Sequence, residues 1–258
     1  MKQSVLAAMA LAMTTAVAVP EASAQEKNGS FFDDFKTLDA DRWLRSDGWT
    51  NGSHQGCTWS EQEVMVKEGI LELTMRIRPK GGNPYTCAEV QSRERYGYGM
   101  YEARIRGVAG SGLNSSVFTY IGPPLGVPSH DEVDIEILGK NPTQAQLNYY
   151  VDGQGKHEEY VDLGFDVSKD FHHYGFEWQK DYIRWYVDGR MIHEVKSDKL
   201  PSHPSKLFLS LWSGSAEVND WLGPFKFPEE RPKYQVDWIS YTKTGEACFF
   251  PQSLTCKK

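Results

Sequence analysis

Apolar and polar side chains alternate through most of this chain, and helical periodicity is scarce. An extended segment turns successive side chains to opposite faces, so alternation with period two marks strands that bury one face. Residues 69–78, GILELTMRIR, set Ile70, Leu71/Leu73, Met75 and Ile77 against polar neighbours and predict one half-buried strand. Residues 182–195, YIRWYVDGRMIHEV, predict a hairpin: Ile183, Trp185 and Val187 share a face, Asp188-Gly189 supplies the turn, and Met191 to Val195 returns. KLFLSLW and YQVDWISY predict further strands, and Gly, Pro, Asn and Asp punctuate the intervals, as in RPKGGNPY and IGPPLGVPSH. No internal repeat or low-complexity linker follows residue 29. The pattern predicts an all-β antiparallel sandwich formed as a single domain over residues 25–258, a length that one large all-β domain accommodates.

Residues 1–24 read as an export signal, with Lys2 as the charged start, an apolar run over 5–19 and Ala-Ser-Ala at 22–24. The run is too short, and too closely followed by Pro20 and Glu21, to span a bilayer, and no later segment is apolar for long enough to do so. The expectation is a secreted protein, extracellular or periplasmic, cleaved near Ala24. Four cysteines, Cys57, Cys87, Cys248 and Cys256, fit an oxidising compartment, and none shows the two-residue spacing of a zinc or redox site. Three pairings are open; Cys57–Cys87 and Cys248–Cys256 are preferred, because the first two flank a common stretch and the last two share a short tail. A net charge of -7 without any basic run argues against a nucleic-acid partner. Much of the aromatic content, with 8 Trp and 13 Tyr, belongs to an ordinary core, yet an exported, mildly acidic, aromatic-rich chain is also what a binder of neutral sugars looks like.

One stretch departs from ordinary strand logic. In HDEVDIEILG, residues 130–139, Glu132, Asp134 and Glu136 occupy every second position, with Val133, Ile135 and Ile137 between them. On a strand the three carboxyls share one face, about 6.6 Å apart along the chain. If all are ionised, each adjacent pair repels by about 0.6 kcal/mol in water and about 2.5 kcal/mol at an effective dielectric of 20. In a cleft the usual relief is that one carboxyl keeps its proton. A protonated acid beside a carboxylate is the equipment for cleaving a glycosidic bond, one group protonating the leaving oxygen and the other attacking the anomeric carbon or activating water. Spacing alone does not separate this reading from a solvated strand face, and a calcium or magnesium site ranks third, because carboxylates on a straight strand do not wrap an ion.

The same stretch resembles the active-site strand of glycoside hydrolase family 16, in the form without an extra bulge residue that is similar to bacterial lichenases. DGWTNG, CTW, YGYGMYEARI, FTYIGP, QLNYYVDG, LGFDVSKDFHHYGFEW, YIRWYVDG, LWSG and DWLG follow in the lichenase order, so the resemblance covers nearly the whole mature chain. It implies a concanavalin-like jelly-roll sandwich of two curved antiparallel sheets with a substrate cleft on the concave face. It matches Glu132 to the family's nucleophile, Glu136 to its general acid/base and Asp134 to the assisting carboxylate. The implied activity is a retaining endo-1,3-1,4-beta-glucanase. The partner is a polysaccharide, the chain is a monomer, and catalysis requires no cofactor.

Positions matching sugar contacts are Trp49, Asn51, Glu89, Phe118, Tyr120, Asn148, Tyr150 and Trp212, with His130 as a polar residue lining the cleft edge. Asp34, Gly69 and Asp237 fall where lichenases hold a structural calcium, partly through backbone oxygens; a salt bridge to Asp237 is the competing reading. Departures are informative as well. His130 replaces a Trp, Gln91 an Arg and Ser210 an Asn, and the Cys248 to Cys256 tail is foreign to lichenases. These features look like the related glycanases that trim the acidic exopolysaccharide succinoglycan, which makes exopolysaccharide depolymerisation the alternative activity. The pair His172-His173 is expected on a strand, with no zinc-like spacing. A lectin on the same sandwich has no need of three spaced carboxyls. A transglycosylase would share the glutamates and differ in the acceptor.

Overall fold

A computed structural model describes residues 29–121, 129–248 and 250–257, so the expected export signal lies outside the described residues. The first strands are β1 (Phe31–Asp33), β2 (Trp43–Arg45), β3 (Thr58–Trp59), β4 (Val64–Lys67), β5 (Ile70–Thr74) and β6 (Arg76–Lys80). They are followed by β7 (Asn83–Ser92), β8 (Gly99–Arg106), β9 (Leu113–Tyr120), β10 (Glu132–Leu138), β11 (Gln144–Tyr150) and β12 (Glu159–Asp162). The chain ends with β13 (His172–Trp178), β14 (Tyr182–Val187), β15 (Arg190–Lys196), β16 (Lys206–Ser213) and β17 (Lys233–Lys243). The expected jelly-roll sandwich is present. One sheet runs β15-β14-β13-β8-β17-β5-β4 with β1 on β17; the other runs β12-β11-β10-β9-β16-β7-β2 with β3 and β6 on β7. Pairing is antiparallel except between β3 and β7.

The two sheets share one apolar core. Val133, Ile135 and Ile137 of β10 enter it, together with Ile183, Trp185 and Val187 of β14 and Leu207, Leu209 and Leu211 of β16. Polar atoms that cross the core are satisfied there: Trp185 Nε1 donates to the Asp134 carbonyl at 3.1 Å, tying the opposite sheet to the acidic strand. The predicted hairpin is β14–β15, and its turn carries φ of 49° at Asp188 and 82° at Gly189. Two successive positive φ values match the right-handed twist of the strands, which is why an Asp-Gly pair sits there.

The predicted single strand over 69–78 is a correction. The chain leaves one sheet after Thr74 and joins the other at Arg76, with fully buried Met75 at the crossing. Ile77, expected to be half-buried, is 70% exposed. An alternating pattern that continues through a crossover carries no mark of the change of sheet. Both preferred disulfides are formed, Cys57–Cys87 and Cys248–Cys256. The second closes a tail that docks on the far sheet, where the Leu254 N–H donates to Glu102 Oε1 at 2.8 Å. His172 and His173 lie on β13 as expected, paired with Asp188 and Glu102. Among the described residues no helix is long and apolar enough to cross a membrane.

Candidate active site

Strand β10 lies inside its sheet between β9 and β11, and directly opposed residues of antiparallel strands share a face. Register therefore writes out the cleft floor in three rows. The first is Gln146, Glu136, Ser116, Ser210 and Glu89; the second is Asn148, Asp134, Phe118, Phe208 and Gln91; the third is Tyr150, Glu132, Tyr120 and Lys206. Glu132 and Glu136 line a cleft of about 460 Å³ with Trp49, Asn51, Glu89, Phe118, Tyr120 and Trp212, all of them expected site residues. Thr50, Gly52, Gln91, Ser116, Phe208 and Ser210 complete the lining.

The carboxyls occupy different surroundings. Glu136 accepts a hydrogen bond from Asn114 Nδ2 at 2.9 Å. Burial, opposed by that bond and aided by the charges of Glu132 and Glu158, pushes its carboxyl up to about 7. Asp134 is buried between the two glutamates, and burial first, then the charge of Glu132, that of Glu136 and a hydrogen bond to Glu132, hold it well above the usual carboxylate range. A carboxyl that keeps its proton beside a carboxylate becomes a donor to it. Glu132 accepts from that side and meets His130 Nε2 at 2.7 Å on the other.

The remaining expected contacts have protein partners of their own. His130 is only 4% exposed; its ring stacks on Tyr150, centroids 4.9 Å apart, and its nitrogen engages Glu132. The pleat returns residue 130 to the face of Glu132, so the ring stands beside a carboxyl of the acidic strand. Asn148 sits opposite Asp134 and accepts the His157 N–H at 3.2 Å, and Tyr150 sits opposite Glu132 in the third row. Asn51 is held by Trp59 Nε1 at 3.1 Å, while Trp49 stands 42% exposed beside it. Glu89 accepts Ser46 Oγ at 2.6 Å, and burial pushes its carboxyl up to about 7 against the Ser46 and Asn51 hydrogen bonds and the charge of Lys206.

Asn114 and Phe208 were not anticipated. Phe208 stacks on Phe118 with centroids 4.9 Å apart, and its signal was available, since it lies four residues before Trp212 on one face of KLFLSLW. Nothing local marks Asn114, which reaches Glu136 from a neighbouring strand.

The expected cation positions flank one stretch of β17. The edge partner of β17 changes from β5 at Val236 to β1 at Ile239, either side of Asp237, with Gly69 just before β5 and Asp34 just after β1. Asp237 Oδ2 meets Arg104 at 2.6 Å and Asp34 Oδ2 meets Lys36 at 2.6 Å. Elsewhere Asp131, Asp152 and His203 cluster, but the Asp131 carboxylate accepts the N–H groups of Ser202, His203 and Asp152.

A paired-carboxyl strand beneath aromatic shelves, one acid holding its proton near neutrality, defines the class of glycan-cleaving hydrolases. The comparisons carry this to the family: the chain belongs to the glycosyl hydrolases family 16, whose model matches residues 51–240. It is 46% identical over 229 residues to the endo-1,3-1,4-beta-glycanase ExoK of Rhizobium meliloti, covering 88% of this chain and 84% of that one. It is 40% identical over 227 residues to the beta-glucanase of Bacillus subtilis, covering 88% and 91%. The solved beta-glucanase of Bacillus licheniformis superposes with a TM-score of 0.78 at 38% identity, covering 84% of this chain and all of that one. This chain is a glycoside hydrolase.

Proposed function

We propose that the chain is an exported endo-acting enzyme that hydrolyses 1,3-1,4-beta-glucan with retention at the anomeric carbon. In this reading Glu132 attacks the anomeric carbon while Glu136 gives its proton to the departing glycosidic oxygen, so that one C–O bond forms as another breaks. Glu136, now a carboxylate, takes a proton from water; the water oxygen replaces Glu132 on the sugar. Asp134 and His130 hold the Glu132 carboxylate in place from either side. No cofactor enters either step. The observation that carries the reading is the contrast within one strand: Glu136 keeps its proton to about pH 7 in the cleft wall, four residues from a carboxylate held by two neighbours. The buried Tyr120 hydroxyl, without a protein partner among the described residues, supports sugar contact at that position.

Proton NMR of the first product released from mixed-linkage glucan tests the mechanism. The expected result is the β-anomer at early times, and initial release of the α-anomer would remove the double displacement. Depolymerisation of a bacterial exopolysaccharide such as succinoglycan is the second reading, favoured by Gln91 and Ser210 in the cleft lining and by the 46% identity to the Rhizobium glycanase. Side-by-side assays on lichenan, laminarin, carboxymethylcellulose and succinoglycan separate the two. The chain then works as one catalytic domain over residues 25–258, a monomer released by cleavage near Ala24; its two disulfides are in keeping with export.

A structural calcium is part of the same proposal. Oxygens of Asp34, Gly69 and Asp237 would hold it where β17 changes partner, with Asp237 giving up Arg104. Calcium is then expected to raise Tm and a chelator to lower it. A Tm indifferent to both means that Asp237 serves Arg104 alone.

A further inference from the structure

The third row of the cleft ends on a cation. Lys206 lies on β16, two strand spacings or about 10 Å from Glu132. Beyond it, Tyr96 and Ser205 exchange both backbone hydrogen bonds, at 2.8 and 2.9 Å. That pairing sets Arg95 directly opposite Lys206, and the burial of Tyr96 and Ser205 leaves Arg95 and Lys206 on the outer, cleft-bearing face. Arg93 precedes Arg95 by two residues and is also exposed.

Like charges directly opposite on paired strands destabilise the pair unless an anion joins them. None does here. Lys206 Nζ donates to the neutral Gln91 Oε1 at 2.8 Å, Arg93 Nε donates to the Ala40 carbonyl at 2.7 Å, and no ion pair links Arg93, Arg95 or Lys206 to an acid among the described residues. Two cleft carboxyls on this side have other partners: Glu89 accepts from Ser46 and Glu132 meets His130. Burial, followed by the charges of Arg95 and Arg93 and opposed by the charge of Glu89, lowers the Lys206 pKa, in keeping with three cations crowded on one another. A chain of net charge -7 thus gathers three cations at one end of its cleft, none in an ion pair among the described residues.

We propose that Lys206, Arg95 and Arg93 form a subsite for a carboxylate carried by the glycan, on a sugar bound beside the one being cleaved. The substrate class is then an acidic β-glycan, and the neutral backbone is the part read by the aromatic shelves. This rests on the glycanase reading above for the placement of the sugar chain, and it adds a charged substituent that mixed-linkage glucan lacks.

Binding to the inactive Glu136→Gln variant tests it, with unmodified and carboxymethylated lichenan oligosaccharides of equal length as the probes. The carboxymethylated probe is expected to bind about ten-fold tighter, the scale of one charge-assisted contact. The preference should vanish in Glu136→Gln carrying Arg93→Gln and Arg95→Gln, and in about 1 M NaCl, where the Debye length is about 3 Å. Equal affinity for the two probes, or a preference that survives loss of both arginines, overturns the subsite. Turnover of both polymers by the native enzyme is measured in parallel. If neither polymer is cleaved the glycanase reading fails, while the binding comparison still decides the subsite.

Discussion

Glu136→Gln is expected to lower kcat/KM on a polymeric substrate by roughly 1,000-fold or more, the upper range for losing a positioned general acid, and Glu132→Gln by at least as much. Both variants should fold. A glutamine at 136 keeps the oxygen that accepts from Asn114. Either change also removes one of three crowded carboxyls, so Tm is expected to hold or rise slightly. The pH profile distinguishes the roles. Native Glu136 must carry its proton for the first step, and its carboxyl sits at about 7. Activity governed by that group is therefore full below this value and falls as pH rises through it. Near-normal turnover by either variant, with an unchanged profile, would refute the assignment.

Replacing Cys57 and Cys87 together by Ala should cost about 3 to 4 kcal/mol, the chain-entropy value for opening a loop of this length. The loss should reach the cleft as well as the core. Gln55 Nε2 donates to the Cys57 carbonyl at 2.9 Å, and its Oε1 accepts the Asn51 N–H at 2.9 Å, so the disulfide steadies the loop that presents Trp49 and Asn51. A lower midpoint in urea is expected together with a raised KM and a kcat changed much less, since the catalytic strand is anchored separately through Trp185. The tail disulfide, Cys248–Cys256, closes a shorter loop on the opposite sheet, and its removal should leave KM untouched. Equal stability of the native and Cys57/Cys87 variants in urea would mean that the native contacts of this loop already supply its order.

Much of the site was legible because the relevant rule is local. On β10 the pleat alone sends Glu132, Asp134 and Glu136 one way and Val133, Ile135 and Ile137 the other, and the structure agrees. The Asp188-Gly189 turn was readable for the same reason, since a tight hairpin depends on two residues. The family resemblance then supplied Trp49, Asn51, Glu89, Phe118, Tyr120 and Trp212, all of which line the cleft. What failed was non-local. Ile77 continues an alternation begun on another sheet.

The amino-acid order by itself determined which segments extend, which face of each is apolar, and that three acids must crowd together on one strand. These follow from the two-residue pleat and from Coulomb repulsion over a known spacing. Only the tertiary structure decided which side chains stand next to those acids. Asn114 beside Glu136, Phe208 against Phe118 and Arg95 across from Lys206 all depend on register between strands separated along the chain, and a shift of one residue would turn each away to the opposite face.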